Sequence, residues 1–387
     1  MTAQPGNAHR RLHSVGVRTP RTSRFHRTLL PLGVSVLVIT AACSSEKRAD
    51  DVTPDPGDIR EKVANFTCPA QALSAGEEKD GPLDGKRLQI ATTVAPITSI
   101  VSNIAGDRAD VIGTVPEGTN SHTYEPKPSV AKVISTADIM FVNGLKLEDP
   151  TLEIAEQNIP EGGQIVELGT VSLPEDLYMY DFSFPKEGGK PNPHLWTNPP
   201  MAKCYAQTAA SVMAKADPAN ADYYRANLEK YAARMDALDA AMREATKTVP
   251  RESRKLLTYH DAYAYFAAEY DWDVIGAIQV SSFEDPTPKE IADLIKQIRD
   301  EKVPAVFGSE VFPSPVLEQI GKETGVTYVD VLRDDDLLGE PGDPEHSFLG
   351  LMRFDFVTMV RSLGGNPAAL EAFDPADVAP DNAEYPQ

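Results

Sequence analysis

Beyond Arg87 the chain alternates between short, nearly continuous apolar runs and longer stretches in which apolar side chains return every three or four residues. Leu88 to Thr93, Ala109 to Val115, Ile139 to Asn143 and Gln164 to Leu168 read as strands, with Ile97 to Ile104, Val130 to Ser135 and Thr151 to Gln157 as helices between them. The rhythm returns after Arg254. Leu256 to His260, Val274 to Gln279, Ala305 to Gly308 and Thr327 to Leu332 are strand-like; Ala262 to Tyr270, Pro288 to Asp300, Pro315 to Thr324 and Phe348 to Ser362 are helical. Strands alternating with helices imply parallel sheets covered on both faces, so the expected fold is α/β, with two lobes each built on a mostly parallel sheet flanked by helices.

Between the halves, Tyr224, Leu228, Tyr231, Met235, Leu238, Met242, Ala245 and Val249 form one stripe at alternating spacings of four and three. No proline interrupts Ala219 to Val249, which predicts one long rigid helix of about 45 Å joining the lobes. A two-helix hairpin is the alternative, and it would need a breaker that this run lacks.

The chain before Arg87 has no such rhythm. Residues 1–42 carry six arginines and no acid, then an apolar run from Leu29 to Ala42. The run ends Thr40-Ala41-Ala42-Cys43, the layout of a secretory signal closed by a lipidation site at Cys43. It is short for a bilayer span and holds Pro31 and Gly33, which disfavours the alternative of an uncleaved anchor helix. Residues 43–86, polar and rich in Asp, Pro and Gly, read as a lipidated flexible tether reaching about 35 Å, with Asn65 to Ala70 a candidate for docking through Cys68. The expected division is then an N-terminal lobe at 87–218, the connecting helix at 219–249, a C-terminal lobe at 250–375 and an acidic tail at 376–387.

The chain carries 58 acidic against 37 basic side chains, a formal charge of −21, and losing the signal arginines makes the mature protein more acidic still. Such a surface repels nucleic acid, and favours cations or simply solubility. Three cysteines divide into Cys43 and the pair Cys68 and Cys204. Outside the cytoplasm that pair can persist as a disulfide, although two buried thiols would leave the same sequence.

Of seven histidines, His9, His13 and His26 leave with the signal. His122 follows a Pro-Glu-Gly-Thr turn after a strand, His194 sits in a loop between Pro193 and Pro199, and His260 lies where a strand hands over to a helix. Singly, each reads as a hydrogen-bonded structural histidine. Ligands of parallel α/β sheets collect beyond the carboxyl ends of the strands, and three of the four remaining histidines fall at such places on both lobes, which points to a shared metal. Pro193 and Pro199 would stiffen the ligand loop before metal arrives, and Trp196 would wall it from water. His346, in an Asp-Pro-Gly-rich loop, reads as solvent-exposed, and Asp334, Asp335 and Asp336 as a solvated turn.

Six segments give the chain a more specific likeness: HTYEPKPS, FVNGLKLED, NPHLWTNP, YHDAYAYFAAEY, SSFEDPTPKEIADLIKQIRDEKVPAVF and VTYVDVL. From about Arg87 to Ser362 it resembles the substrate-binding lipoproteins of zinc and manganese ABC transporters. The resemblance implies paired lobes on a stiff helix, with His122 and His194 binding metal from the first lobe and His260 and Asp330 from the second. Glu125 and Asp261, close in sequence to ligands, are candidates to fix histidine tautomers; a solvated surface acid is the plainer reading of Asp261. Two features depart from the family pattern. Phe307-Gly308-Ser309-Glu310 is one residue longer than the usual Phe-x-Glu, which leaves the place of Glu310 open, and no histidine-rich acidic loop lies between Glu175 and Lys190.

Three imidazoles and one carboxylate suit zinc, whereas manganese prefers more oxygen, so zinc ranks first and manganese second as the transported ion. The resemblance implies an ABC permease and its ATPase as partners, and a monomer held by its lipid on the outer face of the cytoplasmic membrane. Two other classes compete. A secreted zinc hydrolase would need an open position for water and a carboxylate base, and the chain has neither a His-Glu-x-x-His helix nor a Gly-x-Ser-x-Gly elbow. A surface adhesin lipoprotein fits the tether but has no sequence feature of its own. The expectation is a binding protein, not an enzyme.

Overall fold

The apolar runs assemble into two four-stranded parallel sheets that repeat one strand order. The computed structural model describes residues 56–78, 86–278, 286–309 and 315–386, all within the unit Thr53–Gln387. The expected signal, Cys43 and Glu310 lie outside the described residues. In the first sheet β1 (Leu88–Thr92), β2 (Ala109–Gly113), β3 (Ile139–Val142) and β4 (Gln164–Glu167) run in the order β2-β1-β3-β4. In the second, β5 (Lys255–Thr258), β6 (Asp273–Ala277), β7 (Ala305–Ser309) and β8 (Thr327–Leu332) run β6-β5-β7-β8. β3 and β7 are buried along their whole length, as strands covered on both faces must be.

Two short helices, α1 (Pro56–Ala64) and α2 (Ala70–Leu73), precede the first sheet. Around its strands come α3 (Ala95–Ala105), α4 (Pro128–Ile134), α5 (Asp149–Asn158) and α6 (Leu168–Ser172). Between the sheets in sequence lie α7 (Pro199–Ala216) and α8 (Ala221–Thr248); the second half adds α9 (Ala264–Tyr270), α10 (Pro288–Glu301), α11 (Pro315–Thr324), α12 (Phe348–Ser362) and α13 (Ala368–Glu371). The 28 residues of α8 span about 42 Å, and its stripe from Tyr224 to Ala245 faces the core, with only Leu228 partly exposed.

α7 is a helix that apolar periodicity did not reveal. Asn198 caps it by accepting from Met201 N, and Pro199 and Pro200 fill its first turn, where a missing N–H costs nothing. Pro199 is thus the start of a helix as well as the end of the histidine loop. One apolar cluster runs through both lobes, from Leu88, Ile90 and Phe141 to Leu256, Phe307 and Phe356. Each such large side chain contributes about 1.5–3 kcal/mol on burial. α12, from the second half, packs on α3 as well as on α8, so the lobes meet through packed helices in addition to α8.

The expected flexible tether is corrected over 56–78. Ile59 and Val63, one turn apart, seat α1 on the body, with Val63 fully buried, and Arg60 donates to the carbonyls of Ala267 in α9 and Trp272 just beyond it. Cys68 is joined to Cys204 of α7, their Cα atoms 5.3 Å apart, and Lys215 caps the carbonyls of Ser74 and Gly76 at 2.5 and 3.0 Å. A segment too short to show a period is held by a covalent link and a few buried groups.

The acidic tail is corrected too. Glu384 N donates to Val111 O and Gly113 N to Glu384 O, both at 2.9 Å, so residues 383–386 lie along the otherwise open edge of β2. Asn103 and Ser102 donate to Asp377 and Asp381 at 2.7 and 2.5 Å. These acids are hydrogen-bonded to α3 instead of being left to water.

Candidate metal centre

Three imidazoles converge beyond the carboxyl ends of the strands. His122 comes from the loop after β2, His194 from the loop before α7, and His260 from the turn after β5. Their Nε2 atoms stand 3.2 Å (His122 to His194), 3.3 Å (His122 to His260) and 2.9 Å (His194 to His260) apart. One proton can bridge only one of these three edges, so the triangle leaves lone pairs facing each other unless a cation takes the centre. Four donors at about 2.0–2.1 Å around a tetrahedral ion have edges of about 3.3 Å, close to those seen.

The His194 loop is fixed from several sides. Asn192 Oδ1 accepts from the His194 backbone N–H at 3.0 Å and from its Nδ1 at 2.8 Å, which turns the Nε2 lone pair toward the other two rings. Asn192 Nδ2 donates in turn to Asp181 and to the Asp261 carbonyl, at 2.8 and 2.7 Å. Asn143, at the end of β3, donates to Pro193 O at 3.0 Å. Glu148 accepts from the Asn143 N–H and from Thr93, and burial raises its carboxyl to about 7 despite these bonds. His194 is fully buried, His260 nearly so, and His122 partly buried, the most exposed of the three imidazoles. Desolvation pushes the pKa of both His122 and His194 well below the usual imidazole range, and the neighbouring rings add to the effect. Both are therefore neutral at pH 7 and able to present a nitrogen lone pair.

The carboxylate expected from Asp330 does not reach this point. β8 is the edge strand, its register with β7 slips by one residue between Phe307 and Ser309, and Asp330 lies exposed within that bulge. The chain delivers acids to the site four residues later. Asp334 and Asp335 each bring a carboxylate oxygen within 4.8 Å of His194, and Asp334 Oδ2 is 3.5 Å from His260 Nε2. The solvated turn expected at 334–336 is thus a buried one. All three acids are over nine-tenths buried, and their carboxyls are each raised to about 7, by burial first and by one another next. Neutral imidazoles facing a desolvated acidic run make a pocket whose electrostatics call for a cation.

The remaining candidates sort by position. Trp196 is fully buried, its ring 5.1 Å from that of His194, and its Nε1 donates to Asp334 O at 2.7 Å, tying the two loops together. Phe184, not singled out by the sequence, closes another side, 5.6 Å from His122 and 5.7 Å from His194. Asp261 is buried, not solvated: it accepts from Ser183 N at 2.9 Å and faces Asp181, whose carboxyl burial and the Asp261 charge push up to about 10. Glu125 is exposed. His346 is buried, with Nε2 donating to Glu117 at 3.1 Å, because the C-terminal tail covers the loop that carries it.

Comparison with known proteins places this geometry in context. A family model described as zinc-uptake complex component A, periplasmic, matches residues 90–362. The iron-binding protein YfeA of Yersinia pestis is 30% identical over 292 residues, 75% of this chain and 91% of its own length. The manganese ABC transporter substrate-binding lipoprotein PsaA of Streptococcus anginosus is 27% identical over 295 residues, 76% of this chain and 94% of its own. In three dimensions the periplasmic zinc-binding protein TroA of Treponema pallidum aligns over 72% of this chain and 100% of its own, with a TM-score of 0.65 at 23% identity.

Proposed function

The chain belongs to the periplasmic zinc-uptake component A family, and on that premise we propose that it captures one divalent transition metal on His122, His194, His260 and Asp334 and hands it to an ABC permease driven by its ATPase. It is a metal-binding substrate-binding protein of an ABC transporter, not an enzyme. The observation that supports the ligand set is the convergence of three Nε2 atoms within 3.3 Å of one another, beside a buried carboxylate. The metal is cargo: it sheds water on entering from the His122 side and is released when the loops that carry the ligands part.

Zinc ranks first and manganese second. Three nitrogens and one carboxylate favour a four-coordinate ion; Asp335, with Oδ2 bonded to Ser121 Oγ at 2.5 Å and Oδ1 left without a hydrogen bond, is the acid that could add an oxygen ligand and soften that preference. The N-terminal sequence supports lipid attachment at Cys43 on the outer face of the cytoplasmic membrane, and the family likeness supports a monomer. Recovery of a Cys43→Ser chain in the soluble fraction tests the anchor; retention in the membrane would contradict it.

Titration with zinc across pH, with manganese as competitor, tests the site. The Asp334 carboxyl, raised to about 7, holds a proton below that pH, and zinc must displace it. Affinity should therefore change little from pH 8 to 7 and fall below 7, about tenfold in all between pH 8 and pH 6 for each proton displaced, with protons released on binding. Zinc should outcompete manganese throughout. Affinity flat from pH 6 to 8, or manganese binding more tightly, would contradict the ligand set or the ranking respectively.

A further inference from the structure

The loop bearing His122 and the loop bearing Asp334 are bonded to each other beside the candidate metal site, and the Glu117 side chain is the outermost of the links. Glu117 lies on the first loop and reaches across to the second: its Oε1 accepts from Leu337 N at 3.1 Å. Its Oε2 accepts from His346 Nε2 at 3.1 Å, and its backbone N–H donates to Pro386 O at 3.1 Å. Two further bonds lie between this pin and the metal. Gly118 N donates to Asp336 at 2.8 Å, and Ser121 Oγ to Asp335 at 2.5 Å. From behind, the C-terminal tail braces the pin, with the Tyr385 ring edge-on to His346 at 4.6 Å and residues 384–386 bonded along β2.

We propose that Glu117 is a positioning residue of the metal site, the pin of a latch between residues 117–122 and 334–337 whose opening sets the rate of metal release, with the C-terminal tail as its brace. The proposal rests on the metal-capture reading above. Glu117 touches no metal, so its loss should act on retention and not on the ligand set. Losing its two side-chain bonds, one of them shared with a buried imidazole, should speed zinc release by about 10- to 100-fold.

The test is release of zinc from the loaded full-length protein into excess chelator, followed by stopped flow. Glu117→Ala should release zinc at least tenfold faster with little change in the association rate. Glu117→Gln, which keeps an oxygen for Leu337 N and offers an amide N–H that His346 Nε2 accepts once the imidazole proton sits on Nδ1, should restore most of the slow release. A chain ending at Pro380 should also release faster, and adding that truncation to Glu117→Ala should change little more, since both undo one latch. Wild-type release from Glu117→Ala, failure of Glu117→Gln to rescue, or independent additive effects would overturn the latch. Wild-type protein that holds no zinc would remove the metal-capture reading and the latch together, whereas zinc held normally with release indifferent to Glu117 removes the latch alone.

Discussion

Asp334→Asn should weaken zinc binding by at least about 100-fold, as should His194→Ala, because loss of a direct ligand costs more than the 10- to 100-fold typical of groups that only orient ligands. Asp330→Asn should leave affinity unchanged. The contrast between two aspartates four residues apart carries the weight here. Asp330 is exposed on the bulged edge strand, while Asp334 is buried, with Oδ2 3.5 Å from His260 Nε2. Removing His194 also empties a fully buried position beside Trp196, so His122→Ala, at the least buried of the three imidazoles, separates lost coordination from lost packing. Competition titration with a chromophoric chelator reads all four variants. Undiminished affinity in Asp334→Asn, or loss in Asp330→Asn, would return the carboxylate role to the strand.

Replacing both Cys68 and Cys204 by serine should lower stability by about 2–4 kcal/mol, read as a shift in the urea midpoint. The link closes a loop across 136 positions of sequence, so it restricts the unfolded chain strongly. It also fastens the N-terminal strap to α7, directly behind the His194 loop, while Arg60 ties the same strap to the carbonyls of Ala267 and Trp272 on the second lobe. Reductant should move the wild-type midpoint the same way and leave the double variant unmoved. Equal midpoints for wild type and variant in oxidising buffer would mean that the strap's noncovalent contacts suffice.

The two-sheet architecture was legible because its strands are buried on both faces and read as apolar runs, and the helices between them keep a regular stripe. α8 was legible for the same reason. α7 was not, since alanines and methionines on a helix buried nearly all round show no stripe, and its signals were the Asn198 cap and two prolines. The docking of Asn65 to Ala70 through Cys68 was legible from the cysteines, whereas α1 and the tail were hidden because a few buried groups and isolated hydrogen bonds hold them, and neither leaves a periodic mark. The three histidines were legible from their places at strand ends. For the carboxylate the likeness pointed inside β8, where the register shift leaves Asp330 exposed, and the acid that stands beside His260 is Asp334 in the loop beyond. A run of three acids reads as solvated until the structure shows imidazoles, Ser121 and Gly118 arrayed against it. Asn192 could have been found as the hydrogen-bonding residue two positions before a candidate ligand.

The most direct test is diffraction from crystals of the zinc-loaded protein on both sides of the zinc absorption edge. A single anomalous peak bonded to Nε2 of His122, His194 and His260 and to a carboxylate oxygen of Asp334 is the predicted result. A peak elsewhere, or one that two of the three imidazoles do not reach, would contradict it.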